Sequence, residues 1–532
     1  MRSQWTRRVI PRWRSSAVSA TSLDNLPLQT GKRKAGGNYS TAITDDIQRK
    51  IQDWNENPTI GVAADLLNFY HIPQVRNELT EPAVFIKKNS DHLSPQLKFI
   101  TDKILGNSFY QEYGAGPAHR NEIIRLKRQL NINPRNAIAL VDMARIYVIT
   151  AQKKNAARAI QIAVALQPDN RFVLRSASRF YLHNDEPERA LSILKKSART
   201  QEDPWLLASM IAIETLLDKG PQYFKRARAM VEGSKFNPLH LAELGAALAT
   251  LHLNSGHLKN ARRLFADALE NPNDNAVAQA VWAANEFSMV INIQPNWLSD
   301  RFSSEANYYT QEKVGDYTLA LKAAQNWFDD EPFSIRPLLS GAFAASILAK
   351  YDVAEDMMKQ ALVIDPECID SKNNMVFALA CQEKIEAAIT MLNEIDNFES
   401  KQDTGLNGHT FANKGMILYR IGDIPSGNKN YEHAILLFDK KKQVSSKALA
   451  LAYWVQEATL AGDPDLSRIV SLAHQEIDSS DSNAAKIVLA RVENQPVPKG
   501  EVGKVIFKPG ITWTHDKEAN ILIFDKKKPF HY

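Results

Sequence analysis

The stretch from Pro134 to Pro168 decides the fold, and it reads PRNAIALVDMARIYVITAQKKNAARAIQIAVALQP. Its two prolines lie 34 positions apart, and between them two apolar patterns at helical spacing are joined by the polar turn QKKN. The same arrangement recurs along most of the chain. The sequence therefore predicts an array of helix hairpins, in which each unit packs mainly on its neighbours.

Numbering Ala137 as position 1 places large, small and aromatic residues at regular points of the unit. They are Leu140, Met143, Ala144, Tyr147, Ala156, Ile160, Ala163 and Pro168, at positions 4, 7, 8, 11, 20, 24, 27 and 32. This register resembles the tetratricopeptide repeat (TPR), a helix–turn–helix unit of about 34 residues. Small residues let helices approach closely, large ones fill the gaps beside them, and proline cannot continue a helix.

The resemblance covers roughly residues 134–477, as about nine units with an interruption near Pro295. Four proline pairs keep the 34-residue spacing. The predicted fold is all-α: a right-handed superhelical α-solenoid of TPR-like hairpins with a small β-rich C-terminal tail. The predicted segments are a disordered basic arm (1–44), a helical cap (45–133), a first TPR-like block (134–294), a second block (295–395), C-terminal units with a capping helix (396–495) and a β-hairpin tail (496–532).

Composition is ordinary for a folded protein, with 44% hydrophobic and 23% charged residues in 532. No apolar run reaches the roughly 18–20 residues that span a bilayer. The two cysteines, Cys368 and Cys381, are too few for a disulfide framework and lack the spacing of a metal motif. We therefore expect reduced thiols in a cytoplasmic protein.

Positive charge is concentrated at the start of the chain. Residues 1–44 contain eight Lys or Arg and one acid, a net charge of +7, which leaves 57 bases and 59 acids in the rest. Low hydrophobicity and many Ser, Thr and Gly residues predict a disordered arm. Its alternatives are a tether for an anionic partner and a mitochondrial presequence, although Pro11 interrupts the helix that a presequence would need.

The tail has a different pattern. Ile511–Thr514 and Ile521–Phe524 are short β-rich runs on either side of HDKEAN, and Val505–Phe507 is a third. We expect a hairpin or three strands here.

No catalytic motif stands out. The chain lacks HExxH, GxSxG, GxGxxG, CxxC and a phosphate-binding P-loop, and its twelve histidines are scattered. We expect a non-enzymatic protein with no metal or cofactor.

In the TPR family the first helix of each unit lines the groove at positions 2, 5, 9 and 12. Mapped onto the first block, these positions bring Arg145, Arg175 and Arg179 to one wall beside Phe172. A guanidinium group can bind a carboxylate through two parallel hydrogen bonds, so we expect an acidic peptide as partner. The alternative is that these arginines pair with internal acids or are solvated.

The second block offers an apolar and amide-bearing wall. Its residues are Phe343, Asn373, Phe377 and Tyr419. Asparagine suits the backbone of an extended peptide and aromatic rings suit its side chains.

The resemblance therefore implies a scaffold or adaptor that binds a partner protein or peptide in its concave groove and mediates complex assembly. The alternative is a nucleic-acid-associated adaptor, or a regulatory subunit of an effector complex of the nuclease or toxin type. The near-neutral body argues against nucleic acid.

Overall fold

The computed structural model describes residues 7–16, 42–67, 78–89, 95–105, 117–299, 302–402, 407–493, 512–516 and 521–525. The helices before the repeats are α1 (Ala42–Glu56), α2 (Ile60–Leu67), α3 (Thr80–Asn89), α4 (Pro95–Ile104) and α5 (Pro117–Ile132). Those of the first repeats are α6 (Ala137–Ile149), α7 (Lys153–Leu166), α8 (Arg171–His183), α9 (Pro187–Lys196), α10 (Pro204–Leu216), α11 (Phe224–Glu232), α12 (Pro238–Asn254), α13 (Leu258–Ala268) and α14 (Asp274–Glu286).

The remaining elements continue this pattern of paired helices. They are α15 (Ser304–Val314), α16 (Tyr317–Asp330), α17 (Ile335–Ile347), α18 (Tyr351–Ile364), α19 (Ile369–Cys381), α20 (Ile385–Gln402), α21 (Gly408–Arg420), α22 (Ile424–Lys440), α23 (Val444–Ala461), α24 (Leu466–Asp478) and α25 (Asn483–Glu493), followed by β1 (Thr512–Asp516) and β2 (Ile521–Asp525). Within the described residues the chain is thus almost entirely helical, as predicted.

In the described part of the chain, nine hairpins turn at a residue with a left-handed backbone. These residues are Ala151, Asp185, Asp218, Gly256, Gly315, Ala349, Glu383, Gly422 and Gly462. After each, an amide bonds a carbonyl five residues back, as Gln152 N does to Tyr147 O at 2.7 Å and Glu186 N to Tyr181 O at 2.8 Å. This bond satisfies a carbonyl that the helix end would leave unpaired. The turn conformation is therefore set by its place in the unit, and most of these residues are not glycine.

The spacing of the turns explains why one repeat departs from the 34-residue register. Asp185 follows Ala151 by 34 residues, whereas Asp218 follows Asp185 by 33.

The prolines that bound this repeat, Pro204 and Pro238, stand at the first positions of α10 and α12. Proline is accepted there because the first helical amides have no partner within the helix. These two prolines begin helices, instead of ending them as the pattern suggested.

The predicted packing roles are confirmed in the first hairpin. The small residues Ala144, Ala156 and Ala163 have no exposed surface, and Leu140 and Ile160 are buried beside them. Asn136 begins α6 by accepting a hydrogen bond from Ala139 N at 3.0 Å, which satisfies an amide at the helix start.

The chain forms two compact units. Unit 1 consists of Met1–Thr310 with Lys322–Pro337, and unit 2 of Gln311–Leu321 with Leu338–Tyr532. In unit 1, a 3-10 turn at Pro295–Trp297 follows α14 within the described part of residues 287–303. The repeat pattern of the sequence also loses its register in this region. The six-segment division stays a prediction.

The strands β1 and β2 pair antiparallel, with Thr512 opposite Asp525 and His515 opposite Leu522. The third predicted run, Val505–Phe507, lies outside the described residues. Among the helices that the structure describes, none has the length and apolar character needed to cross a membrane.

Candidate functional site

A segment of the basic arm, residues 7–16, lies inside unit 1, and its residues 7–15 are non-helical. We call it the arm segment. Arg7 is 4% exposed, Val9 1% and Trp13 0%, so this part of the arm is packed and not disordered as predicted. The sequence rule failed because it judged the arm by its own composition, whereas its partners lie in distant helices. The side chains that hold it, on α6, α8, α14, α15 and the loop before α17, form the arm site.

Glu305 of α15 is the central acceptor of the arm site. Its carboxylate receives Arg7 Nε at 2.9 Å and Arg7 Nη2 at 3.0 Å, and also Arg12 Nη2 at 2.6 Å. Arg336 of α17 adds a contact of 2.7 Å. Burial alone would raise the pKa of Glu305, but Arg7, Arg336 and Arg12 hold it well below its ordinary value. The carboxylate is therefore charged and needs these cations.

Arg12 and Arg14 are held by two further acids. Asp274 accepts Arg12 Nε at 3.1 Å and Arg14 Nη2 at 2.7 Å, and Glu331 accepts Arg12 Nη1 at 2.9 Å. Burial would raise the pKa of both acids, but the neighbouring arginines lower it below the ordinary value. Three of the arm's arginines thus meet three buried carboxylates.

Polar side chains also bind the arm's backbone. Asn275 Nδ2 donates to Ile10 O at 2.9 Å, and Gln279 Nε2 donates to Arg7 O at 3.2 Å. Arg145 Nε donates to Trp13 O at 3.1 Å. Because these contacts involve main-chain carbonyls, they fix the path of a peptide without regard to its sequence.

Trp13 fills an aromatic pocket. Its ring lies 6.0 Å from Phe180 at an interplanar angle of 82°, and 5.3 Å from Phe333 at 55°. The guanidiniums of Arg145 and Arg179 lie over the Phe333 ring at 6.0 and 5.1 Å, a cation–π arrangement. The pocket therefore combines apolar burial with positive charge at its edge.

Asp142 of α6 holds the end of the arm segment. It accepts a hydrogen bond from Ser16 N at 2.6 Å and another from the Ser16 hydroxyl. Burial raises the pKa of Asp142 to about 6, although the bonds from Ser16 oppose the rise. This carboxyl is the one acid of the arm site whose pKa moves upward.

The predicted arginine wall is only partly assembled. Arg145 and Arg179 reach the same ring, whereas Arg175 is 2% exposed and forms a bidentate pair with Glu243 at 2.8 and 3.2 Å. Phe172 is likewise buried, at 2% exposure. The segment bound beside these residues is the chain's own basic arm, and an acidic partner stays a prediction. The pairing of Arg175 with Glu243 corresponds to the alternative in which these arginines pair with internal acids.

The predicted wall of the second block, in unit 2, is engaged within the fold. Asn373 is buried, donates to Thr410 Oγ1 at 3.2 Å and accepts from Asn413 Nδ2 at 3.2 Å. Tyr419 is buried beside Asp463, with its hydroxyl 2.5 Å from Asp463 Oδ2. These two side chains therefore tie neighbouring helices together and do not face a peptide.

The two phenylalanines of that wall are half-buried against other rings. Phe343 lies 6.0 Å from Tyr317, and Phe377 lies 4.8 Å from Tyr453 and 6.0 Å from Tyr351. These contacts therefore do not form an open aromatic wall for an extended peptide.

Sequence reasoning missed the acids of the arm site. Counting from the turn residues Ser288 and Gly315 as position 15 places Asn275 at position 2 of its unit and Glu305 at position 5, both groove positions in the family pattern. The interruption near Pro295 hid this register. The opposite charges of the arm and these helices were the available signal.

Among the described residues, no group of three or more His, Cys, Asp or Glu side chains could hold a metal ion. Cys368 and Cys381 are free thiols. Burial raises the pKa of the Cys381 thiol to about 12, so this cysteine is protonated near neutral pH and unreactive.

No protein-family model matches the chain, and no curated protein has a significantly similar sequence. Solved structures similar to it include yeast Tom70, at 13% identity over 85% of this chain and 94% of that one, with a TM-score of 0.30. A monomeric mutant of IFIT1 with m7Gppp-AAAA is 10% identical over 73% and 94%, with a TM-score of 0.29.

The APC/C hetero-tetramer Cut9–Hcn1 is 14% identical over 64% of this chain and 61% of that one, with a TM-score of 0.29. These superpositions are loose, so the nature of the repeat rests on the hairpins themselves. Four intervals between successive turns are 33 or 34 residues, from Ala151 through Asp185 to Asp218 and from Gly315 through Ala349 to Glu383, and small residues stand where the helices cross. In its fold the chain resembles the tetratricopeptide-repeat proteins.

Proposed function

We propose that this protein is a non-enzymatic TPR-type scaffold that binds a segment of a partner protein at the arm site and thereby mediates complex assembly. One observation carries the proposal: the arm site already holds a peptide, by its backbone and by its side chains. Asn275, Gln279 and Arg145 bind main-chain carbonyls, while Glu305 and the Trp13 pocket bind side chains. Such a combination is typical of peptide recognition.

Charge supports a basic partner segment over the acidic one first expected. Asp274, Glu305 and Glu331 are buried and have pKa values held below the ordinary range by arginines. A carboxylate on an incoming peptide would be repelled by these groups, and a guanidinium would pair with them.

Three finer features belong to the same proposal. They are a right-handed superhelical winding of the hairpins, a β-rich C-terminal tail and a cytoplasmic location. The winding would bring successive first helices to one concave face, as the family resemblance implies.

Quantitative affinity capture tests the function. The full-length chain, a Glu305→Gln variant and a Glu232→Gln control are used as baits in a lysate of the source cells. Glu232 is exposed and pairs with Arg228 and Arg263 at the surface. We expect at least one protein whose capture falls more than fivefold with Glu305→Gln alone. If all captured proteins are unaffected by that change, the arm site is not the scaffold's binding site.

The nucleic-acid-associated adaptor, or regulatory subunit of a nuclease- or toxin-type effector complex, is the second candidate. Its basis is the basic arm, but Arg7, Arg12 and Arg14 are paired with carboxylates of unit 1. Phosphate binding would have to displace those pairs. Filter binding to RNA and DNA at two salt concentrations separates the candidates, since phosphate contacts weaken steeply with salt.

A further inference from the structure

We infer that the arm segment is a built-in competitor: it occupies the arm site of its own chain and is displaced by a partner segment of the same chemistry. That segment is basic and carries a bulky aromatic residue directly after an arginine, as Arg12 and Trp13 do here. The inference rests on the proposed function, because it names the class of peptide that the scaffold binds and the device that regulates access to it.

The charges of the arm site require a cationic occupant. Glu305 would lose Arg7 and Arg12 if the arm left, and would keep Arg336. Asp274 would lose both Arg12 and Arg14. Buried carboxylates without cations are costly, so release of the arm is favourable only when another cationic segment or water with counterions replaces it. This selects partners with closely spaced arginines or lysines.

The aromatic pocket adds selectivity for shape. Trp13 has no exposed surface, and its buried Nε1 has no hydrogen-bond partner among the described residues. The pocket therefore recognises the size and flatness of the ring and gains nothing from its N–H group. A phenylalanine or tyrosine ring after an arginine fits the same description, whereas a small residue would leave a cavity.

Tethering makes the arm an effective competitor. A segment that belongs to the same chain as its site acts at an effective concentration that can be on the order of millimolar. A free peptide must overcome this local concentration, so its apparent affinity equals its intrinsic affinity multiplied by the fraction of chains whose arm is undocked. Weakening the arm in its own chain should therefore strengthen binding of the same sequence added in trans.

The test uses a fluorescent peptide with the sequence of residues 7–16, RRVIPRWRSS, and the full-length chain. Its anisotropy is measured with wild type, with Arg12→Ala, and with Arg12→Ala/Trp13→Ala, after circular dichroism shows that each is folded. We expect both arm variants to bind the peptide at least tenfold more tightly than wild type. Adding Glu305→Gln should lower binding at least tenfold, and Glu232→Gln should leave it unchanged. A peptide with Ala in place of Arg12 and Trp13 is the ligand control.

Equal affinity for wild type and a folded arm variant would overturn the inference, as would failure of the peptide to bind that variant. Tighter binding of an acidic peptide or of an RNA oligonucleotide would overturn it as well. The single Arg12→Ala variant keeps the test decisive if the double variant does not fold. These results are independent of the capture experiment: the peptide can compete as described even if no cellular protein depends on Glu305, and the reverse also holds.

Discussion

Arg12 and Glu305 lie 293 positions apart in sequence, yet Arg12 Nη2 and Glu305 Oε2 are 2.6 Å apart. Neither side chain is more than 9% exposed. In a repeat array most contacts join neighbouring repeats. This ion pair therefore adds a long-range connection that the hairpins alone do not provide. It makes the basic arm part of unit 1.

Removing the Glu305 charge should destabilise the chain strongly. Glu305→Gln leaves Arg7, Arg12 and Arg336 around a neutral amide, and breaking a buried ion pair from one side costs about 3–5 kcal/mol. The exposed pair of Glu232 is the matched control, and Glu232→Gln should cost under about 1 kcal/mol. Urea unfolding followed by circular dichroism measures both. Equal small effects would mean that Glu305 is not buried among these cations.

Trp13→Ala should also destabilise the chain, by about 3–5 kcal/mol, because it empties the pocket beside Phe180 and Phe333. Trp13→Phe should cost clearly less, since it keeps a ring and Trp13 Nε1 makes no hydrogen bond with the described residues. Thermal unfolding of the three proteins gives the order. A Trp13→Ala chain as stable as wild type would show that the arm does not contribute to unit 1.

Arg175 should act on stability, since it pairs with Glu243 and lies over the Trp205 ring at 4.8 Å. Arg175→Met leaves Glu243 buried, at an expected cost of about 3–5 kcal/mol. Adding Glu243→Met should recover part of that loss, because an apolar pair often replaces a buried ion pair without penalty. A double variant that is no more stable than Arg175→Met would argue against this pairing.

Asp142 should make stability fall between pH 4.5 and 7. Its pKa is raised from 3.8 to about 6 by burial, so its stabilising protonated form is fully populated below pH 3.8 and is lost as the pH rises through 6. With 1.36 kcal/mol per pK unit, its share of this change is about 2 kcal/mol. Urea unfolding at both pH values should show that Asp142→Asn gains about 2 kcal/mol of stability relative to wild type between pH 4.5 and 7. A stability difference between the two proteins that does not change with pH would mean that Asp142 does not titrate in this window.

The acids with lowered pKa act in the opposite sense and at lower pH. Asp274, Glu305 and Glu331 stabilise docking above their ordinary pKa values, and this contribution is lost as the pH falls through their depressed values. Burial lowers the pKa of His183 to about 3 and that of His240 to about 4, so these side chains add stability as the pH rises from 4.5 to 7. Only the comparison with Asp142→Asn therefore isolates the contribution of Asp142 in that window.

In unit 2, Gly415→Ala should destabilise the α21–α22 crossing. A Cβ at Gly415 would lie 2.7 Å from the Tyr431 ring and 3.2 Å from Gly427 O, too close without movement of the two helices, and overpacking of this kind costs about 1–3 kcal/mol. Gly220→Ala is the control, because its Cβ would meet no atom within 4 Å. A comparable loss in both variants would point to backbone effects instead of the crossing.

The hairpins could be predicted because their pattern is local. The spacing of Leu140, Ala144 and Tyr147 is set by one helix and its partner, and the left-handed turn at Ala151 follows from the end of α6. Each unit repeats these short-range rules, so several units in phase reinforce one another.

The arm site could not be predicted from such rules. Glu305 meets Arg7 and Arg12 only because distant helices are brought together by folding, and nothing in the register of one unit specifies an occupant. Arg175 illustrates the same limit: its position in the unit was read correctly, but its partner Glu243 lies 68 residues away.

The most direct test of the central claim, that the arm segment occupies the arm site, is the rate at which trypsin cleaves after Arg12 and Arg14 in the native full-length chain. The free peptide of residues 7–16 is the reference, and mass spectrometry follows both. Because proteolysis requires the segment to leave its site, we predict cleavage at least 100-fold slower in the native chain, and faster cleavage with Glu305→Gln. Cleavage in the native chain as fast as in the free peptide would contradict the account.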